Sequence, residues 1–509
     1  MTVTLTGNDL TLEQLYDVVF TGTEVTLAPS ARERMLASRA VIEKLLASGK
    51  TAYGINTGFG KLASVRISAD QVRQLQLNLV RSHACGVGAP LSERETRAMI
   101  LLRANALAKG LSGVRPVVVE TLCAMLNQRL HPVIPSQGSV GASGDLAPLA
   151  HLALAAIGEG HAAFGGEILS GEEALRRARI APLVLEAKEG LSLLNGTQGM
   201  LALLSLALRD AQILADTADV AVALSLDALR GSPAAFDERI MQARPYAGAA
   251  ATSRNLARLV QGSEIRESHR SAQKDTRVQD AYSLRCTPQV HGAVRDALAQ
   301  AREMARVELN SATDNPLVFA RAGASGEGDV VSGGNFHGQP LAMAADQVAV
   351  ALATLCGISE RRIDQMTNPL TSLLPAFLSP DAGLNSGFMI AQVTAAALTS
   401  ENKTLAAPHS VDSITTSGNQ EDYVSMGMSG ARRLRAMLEN LRNILAIELL
   451  CACQGIDLLA PLRTGTEAQK AFDLVRRASR KVEADRPLAP DIQAVAEAIE
   501  SGEFQKLLL

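Results

Sequence analysis

Residues 201–230 read LALLSLALRDAQILADTADVAVALSLDALR, a stretch with neither Gly nor Pro whose apolar side chains fall on nearly every side of a helical wheel. A helix of that length measures roughly 45 Å at 1.5 Å per residue, and one that is apolar almost all round is stable only when other helices cover it. Comparable candidates run over residues 341–366, over 388–405 ahead of Pro408, and over 432–454 ahead of Gly455. Trp is absent and aromatics make up 3% of the chain, so the core must be built from Ala, Leu, Val and Ile, which suits closely spaced helices. The expected fold is mainly α: a long multi-helix bundle over residues 199–509, preceded by a smaller α+β domain over residues 1–198. Alternation over residues 2–6 and the short run Val25-Thr26-Leu27 supply the expected strands.

The remaining composition narrows the class of function. With 509 residues, 47% hydrophobic and 20% charged, the chain is neither disordered nor collagenous, and its length allows roughly two to four domains. A formal charge of -3 leaves no basic footprint for nucleic acid or an anionic membrane, so a small-molecule partner is expected. Cys85, Cys123, Cys286, Cys356, Cys451 and Cys453 form no CxxC pair and read as buried free thiols of a reducing compartment. The first residues lack the basic-then-apolar order of a secretory signal, and no uncharged run reaches membrane-spanning length, so the expected location is the cytoplasm. Residues 231–280, rich in Gly, Pro and charge, read equally as a solvated surface loop or as a lid. Residues 321–329 read as an exposed turn.

Familiar catalytic motifs fail in turn. Gly58-Phe59-Gly60-Lys61-Leu62-Ala63 fits a dinucleotide fingerprint but has no apolar strand before it, and Lys61 lacks the following Ser or Thr of a phosphate loop. The eight His form no tight metal-binding spacing, so no metal is expected. Gly141-Ala142-Ser143-Gly144-Asp145 places Asp where a nucleophile elbow needs Gly. An ordinary reading makes Asp145 the N-cap of a helix with Pro148 in its first turn, and leaves the run of small residues before it unexplained. Backbone cyclisation explains them. If the amide nitrogen of Gly144 attacks the carbonyl carbon of Ala142, bulk at either end obstructs the approach, and dehydration of Ser143 then leaves an exocyclic methylidene. The product is an electrophile made without a bound cofactor.

The longer segment Gly138-Ser139-Val140-Gly141-Ala142-Ser143-Gly144-Asp145-Leu146-Ala147-Pro148-Leu149-Ala150-His151 resembles the signature of the aromatic amino acid ammonia-lyases. The likeness continues through Tyr53-Gly54-Ile55-Asn56-Thr57-Gly58-Phe59-Gly60, Leu194-Asn195-Gly196-Thr197, Tyr282-Ser283-Leu284-Arg285, Asn315-Pro316-Leu317 and Gly334-Asn335-Phe336-His337. The resemblance implies a self-made methylidene-imidazolone (MIO) from Ala142, Ser143 and Gly144, no metal or added organic cofactor, and a homotetramer with shared active sites. It also implies roles. Tyr53 is the candidate base and Tyr282 assists proton transfer; Arg285 holds the substrate α-carboxylate; Asn195 bonds the amine or the prosthetic group; Gln279 and Phe336 line the pocket.

Arg81-Ser82-His83-Ala84 and Asn419-Gln420-Glu421-Asp422 resemble the histidine branch of that family, which eliminates ammonia from L-histidine to give trans-urocanate. A buried carboxylate facing a phenyl ring would lack a partner, at a cost of about 1–3 kcal/mol, whereas imidazole N–H groups satisfy it. His83 and Glu421 are therefore expected to orient the imidazole. The rivals are a phenylalanine or tyrosine ammonia-lyase or aminomutase, and a non-catalytic helical scaffold. Ala281, Thr415, Tyr423 and Lys274-Asp275-Thr276-Arg277 depart from the family pattern in loops beside the proposed pocket.

Overall fold

The computed structural model describes residues 2–49, 52, 54–57, 67–270, 277–323 and 325–508. It is mainly helical, and its longest helices are Gln198–Ala228, Thr287–Leu309, Gln339–Thr367 and Gly427–Leu458. The first, third and fourth correspond to stretches marked by their apolar periodicity, and Met389–Leu405 matches another. One boundary differs. Gly455 does not end its helix, because it serves packing: a Cβ there would lie 2.9 Å from the Ala228 Cβ, so a bare glycine lets two long helices approach closely. The 339–367 helix contains a window with mean hydropathy 1.7, long and apolar enough to cross a membrane although interrupted by Asp346; 61% of that window is buried inside the protein.

The chain divides into two compact units. The first comprises Met1–Leu206, Arg302–Asp346 and Pro408–Arg432; the second comprises Ala207–Ala301, Gln347–Ala407 and Arg433–Leu509. In the first unit Val3–Leu5 and Val25–Leu27 do form strands, paired in parallel. Further small sheets join Val87–Pro90 to Pro135–Gln137, and His131–Pro132 to the hairpin His161–Phe164 with Glu167–Ser170. Residues 321–329 connect the antiparallel strands Leu317–Ala320 and Gly328–Val331 and begin the second of them.

Asp145 precedes the helix Leu146–Ala156, as its sequence position suggests, but its side chain does not cap that helix. The carboxylate turns instead to the first turn of the 198–228 helix, where Oδ2 accepts from Met200 N at 2.8 Å, while Oδ1 accepts from Ser139 Oγ at 2.8 Å. A Cβ on Gly199 would meet Asp145 Oδ2 at 2.9 Å, so the approach needs glycine there. The gain is a stronger cap than a local one, with a negative charge at the positive end of a much longer helix.

The second unit contains a polar spine among its helices. Glu448 and Arg362 are fully buried and paired at 2.5 Å and 3.0 Å, and Glu448 also accepts from Ser225 Oγ at 2.8 Å. Arg362 Nη1 donates to Ser283 O at 3.3 Å and lies 3.5 Å from His291 Nε2. His291 Nδ1 meets Asp219 at 2.8 Å, and Asp219 pairs with Arg295 at 2.6 Å. Within the stretch read as a solvated surface loop or a lid, residues 231–270 carry several short helical segments. Ser232, Asp237 and Ser263 accept from backbone N–H groups and so start the helical segments Pro233–Phe236, Glu238–Ala243 and Glu264–Ser268, with Ala247–Leu259 between them. Lys274, Asp275 and Thr276, part of the lid reading, lie outside the described residues. Four cysteines are buried, and burial alone pushes the Cys123 thiol up to about 12; Cys85 is exposed, because it falls in the turn after the helix Val72–His83.

Two outcomes follow from these buried groups. Glu448→Gln leaves the Arg362 cation without its counter-charge and is expected to lower unfolding free energy by about 3–5 kcal/mol in urea titrations, whereas replacing both by Met recovers most of the loss. Burial pushes Asp145 from the ordinary 3.8 up to about 6, against the opposing donors Met200, Ser139 and Gly199. The folded state then binds the proton more tightly than the unfolded chain, so this group's contribution to stability declines as pH rises from about 4 to about 6 and is level above that. Subtracting the Asp145→Asn stability profile from that of the parent should reveal this decline, and a flat difference would contradict it.

Candidate active site

The loop 138–145 is held open-ended by contacts that leave its small residues no room to grow. Gly141 has φ +70° and a Cβ there would lie 2.2 Å from Ser425 Oγ; Gly144 has φ +71° and a Cβ would lie 2.1 Å from Gly196 O. Gly144 forms an isolated bridge with Gly196, and Asp145 N donates to Gly196 O at 2.7 Å. On the other side Ser425 Oγ donates to Gly141 O at 3.0 Å and Met426 N to Val140 O at 2.9 Å. Ala142 is buried and Ser143 half-buried between these clamps.

Ser143 Oγ donates to Glu421 Oε1 at 3.0 Å. Oε2 of the same carboxylate accepts from Thr416 Oγ1 at 2.7 Å and Ser417 Oγ at 2.8 Å. Ser417, Gly418 and Asn419 all adopt left-handed backbone, with φ of 50°, 61° and 68°, and the turn closes through Thr416 N to Glu421 O at 2.9 Å. Backbone strain of this kind persists where the surroundings over-determine it, and here it aims one acid. His83 ends the helix Val72–His83, and its Nδ1 lies 3.0 Å from Ser82 Oγ. Burial lowers its pKa below the usual value, opposed by the Leu79 carbonyl and by the charge of Glu421, so the ring is neutral at pH 7.

Beneath the loop lies Asn195, nearly fully buried. Its Nδ2 donates to Asp314 Oδ1 at 3.3 Å and to Asn315 O at 3.1 Å, while its Oδ1 has no hydrogen-bond partner among the described residues. Arg103, fully buried and pushed down to about 10 by desolvation, donates to Asn195 O at 3.0 Å and to Gln198 Oε1 at 2.7 Å. Phe336 is half-buried in the turn before the 339–367 helix. Next to it His337 stacks on Tyr423 with centroids 6.1 Å apart, which gives that unusual tyrosine a packing partner.

His83, Ala142, Ser143, Gly144, Asn195, Phe336 and Glu421 thus belong to the first unit. Gln279, Tyr282 and Arg285 belong to the second, where Gln279 and Tyr282 are exposed and the Arg285 guanidinium lies 5.7 Å from the Tyr282 ring centroid. Their four-residue helix Tyr282–Arg285 has no side-chain cap at Ala281, and Ser283 O is held by Arg362 and by Thr287 Oγ1. Tyr53 lies outside the described residues. Sequence reasoning did not find Ser139, Thr416, Ser417 or Ser425. Thr416 and Ser417 stand close enough to Glu421 for a local hydroxyl-to-acid pattern to be sought; Ser425 reaches Gly141 across 284 positions and leaves no local signal.

Among the described residues no group of three or more His, Cys, Asp or Glu side chains is arranged to hold a metal ion. The chain is 57% identical over 508 residues to a histidine ammonia-lyase of Koribacter versatilis, covering 98% of each, and 55% identical over 502 residues to one of Sorangium cellulosum, covering 98% of this chain and 97% of that one. Among solved structures it superposes on the histidine ammonia-lyase of Trypanosoma cruzi with TM-score 0.91 at 44% identity, covering 100% of this chain and 95% of that one. It also superposes on a tyrosine aminomutase of Streptomyces globisporus with TM-score 0.94 at 39% identity, covering 100% and 98%. The aromatic amino acid lyase model matches residues 10–477, and the chain belongs to that family.

Proposed function

We propose that this protein is a histidine ammonia-lyase, a carbon–nitrogen lyase that converts L-histidine to trans-urocanate and ammonia, the first step of histidine degradation. The observation that carries the reading is the Glu421 carboxylate, aimed by Thr416 and Ser417 at Ser143. An acid so placed suits a ring that offers N–H donors and disfavours a phenyl ring, against which Oε1 would lack a donor once the Ser143 hydroxyl is lost. Full-length relatives of the same name support the substrate.

The residues present fit an MIO formed from Ala142, Ser143 and Gly144. Clamps at Gly141 and Gly144 hold the ends of the tripeptide, and an unpaired acceptor on buried Asn195 lies one residue from the Gly144 bridge partner. When formed, that group supplies an electrophilic methylidene carbon to the substrate amine, which makes ammonia a better leaving group. The remaining chemistry falls to side chains. Glu421 accepts from an imidazole N–H and His83 meets the other side of the ring, so that together they orient the substrate with its β-carbon towards the base. Arg285 pairs with the α-carboxylate as a two-toothed donor, Tyr53 takes the proton, Tyr282 assists its transfer, and Gln279 and Phe336 enclose the site. Exposure of Gln279 and Tyr282 in the single chain supports a homotetramer in which subunits share active sites. The buried thiols support a cytoplasmic location.

Incubation with histidine, phenylalanine and tyrosine, followed by near-ultraviolet absorbance of the conjugated acid, is expected to give product from histidine. Product from phenylalanine alone would transfer the protein to the rival branch, and none from any would favour a scaffold. Glu421→Gln is expected to lower kcat/KM for histidine by about 10²-fold. Intact-mass spectra should place the mature chain two water molecules below its translated weight, and Ser143→Ala at the full weight.

A further inference from the structure

Asn195 is unusual in how its hydrogen-bonding capacity is spent. A side-chain amide has two donors and one acceptor oxygen. Both groups facing Nδ2, an oxygen of Asp314 that also accepts from Asn315 N and the Asn315 carbonyl, are acceptors, so the chemistry of the partners fixes which end of the amide faces them. Oδ1 is left buried with no partner among the described residues.

Asp314 is itself immobilised. Its Oδ2 accepts from Lys188 Nζ at 2.7 Å and from Ser192 Oγ at 2.7 Å, and its Oδ1 also accepts from Asn315 N at 2.7 Å. Lys188 is fully buried, with a further bond to Ser192 Oγ at 2.9 Å. With donors from Lys188, Ser192 and Asn315 N on its two oxygens, Asp314 serves Asn195 as an acceptor.

From this arrangement we infer that Asp314, held by Lys188, is a positioning residue that locks the Asn195 amide so that its Oδ1 accepts a hydrogen bond from the amino group of the substrate. The inference rests on the histidine reading of the site and decides between the two partners left open for Asn195. A methylidene-imidazolone carries no N–H, because cyclisation and dehydration consume both, so it has nothing to donate to Oδ1. The substrate amine does. Asp314→Asn replaces the carboxylate with a group that can face Asn195 by either end, so the Asn315 carbonyl alone still holds Nδ2 and the direction of Oδ1 towards the substrate loosens.

The test is calorimetric titration of the full-length protein in a Ser143→Ala background, which blocks turnover and covalent capture. Histamine carries imidazole and amine without carboxylate; imidazolepropionate carries imidazole and carboxylate without amine. Asp314→Asn is expected to weaken histamine about tenfold, the worth of one hydrogen bond to a charged group, and to leave imidazolepropionate unchanged. Should that variant not fold, Lys188→Met with Asp314→Leu removes the ion pair in favour of apolar volume and is expected to give the same selective loss. Parallel weakening of both ligands, or no change in either, would overturn the inference. Asn195→Ala separates the two levels. If it too leaves histamine unchanged, the amine contact itself is wrong; if it weakens histamine while the Asp314 variants do not, Asn195 keeps its role and Asp314 loses its own.

Discussion

Where a single carbon on residue 144 would sit, the carbonyl oxygen of Gly196 stands 2.1 Å away, and much of the first unit is arranged around that approach. The bridge between Gly144 and Gly196 brings the small-residue loop onto the segment that carries Asn195, and Asp145 completes the join by reaching past its own helix to cap the longer one at Met200. Fold and chemistry therefore share one constraint. The same glycines that admit close backbone contact also leave the Ala142-Ser143-Gly144 peptide units free of the bulk that would block ring closure.

The long helices were legible because their pattern is local: an unbroken run without Gly or Pro, apolar nearly all round, has few other places to go than the interior of a bundle. Gly455 was misread for a reason equally physical. A glycine is a stop signal when it sits past the last buried turn, and a packing device when a neighbouring helix needs the space, and only the neighbour, here Ala228, tells the two apart. Composition likewise left residues 231–280 as either a surface loop or a lid and could not register that Ser232, Asp237 and Ser263 each start a short helical segment.

Motif resemblance pointed to the small-residue segment and to Glu421, which the structure places in contact through Ser143, but not to the groups that hold them. Asp145 looked like a local cap because sequence position reports which helix follows, not which helix end lies nearest in space. Lys188 and Asp314 stand 126 positions apart, and Arg362 and Glu448 86 apart, so neither pair leaves any periodic trace. Buried ion pairs of this kind contribute little net stability, yet each one fixes an orientation that an apolar core would leave free.

The clamps on the small-residue loop also have an order in time. Glu421 and Ser425 follow Ser143 and Gly141 by 278 and 284 residues, so a ribosome must synthesise most of the polypeptide before either hydroxyl or carboxylate contact can exist. A chain that stops before residue 421 therefore keeps Gly141 and Ser143 without the partners that orient them.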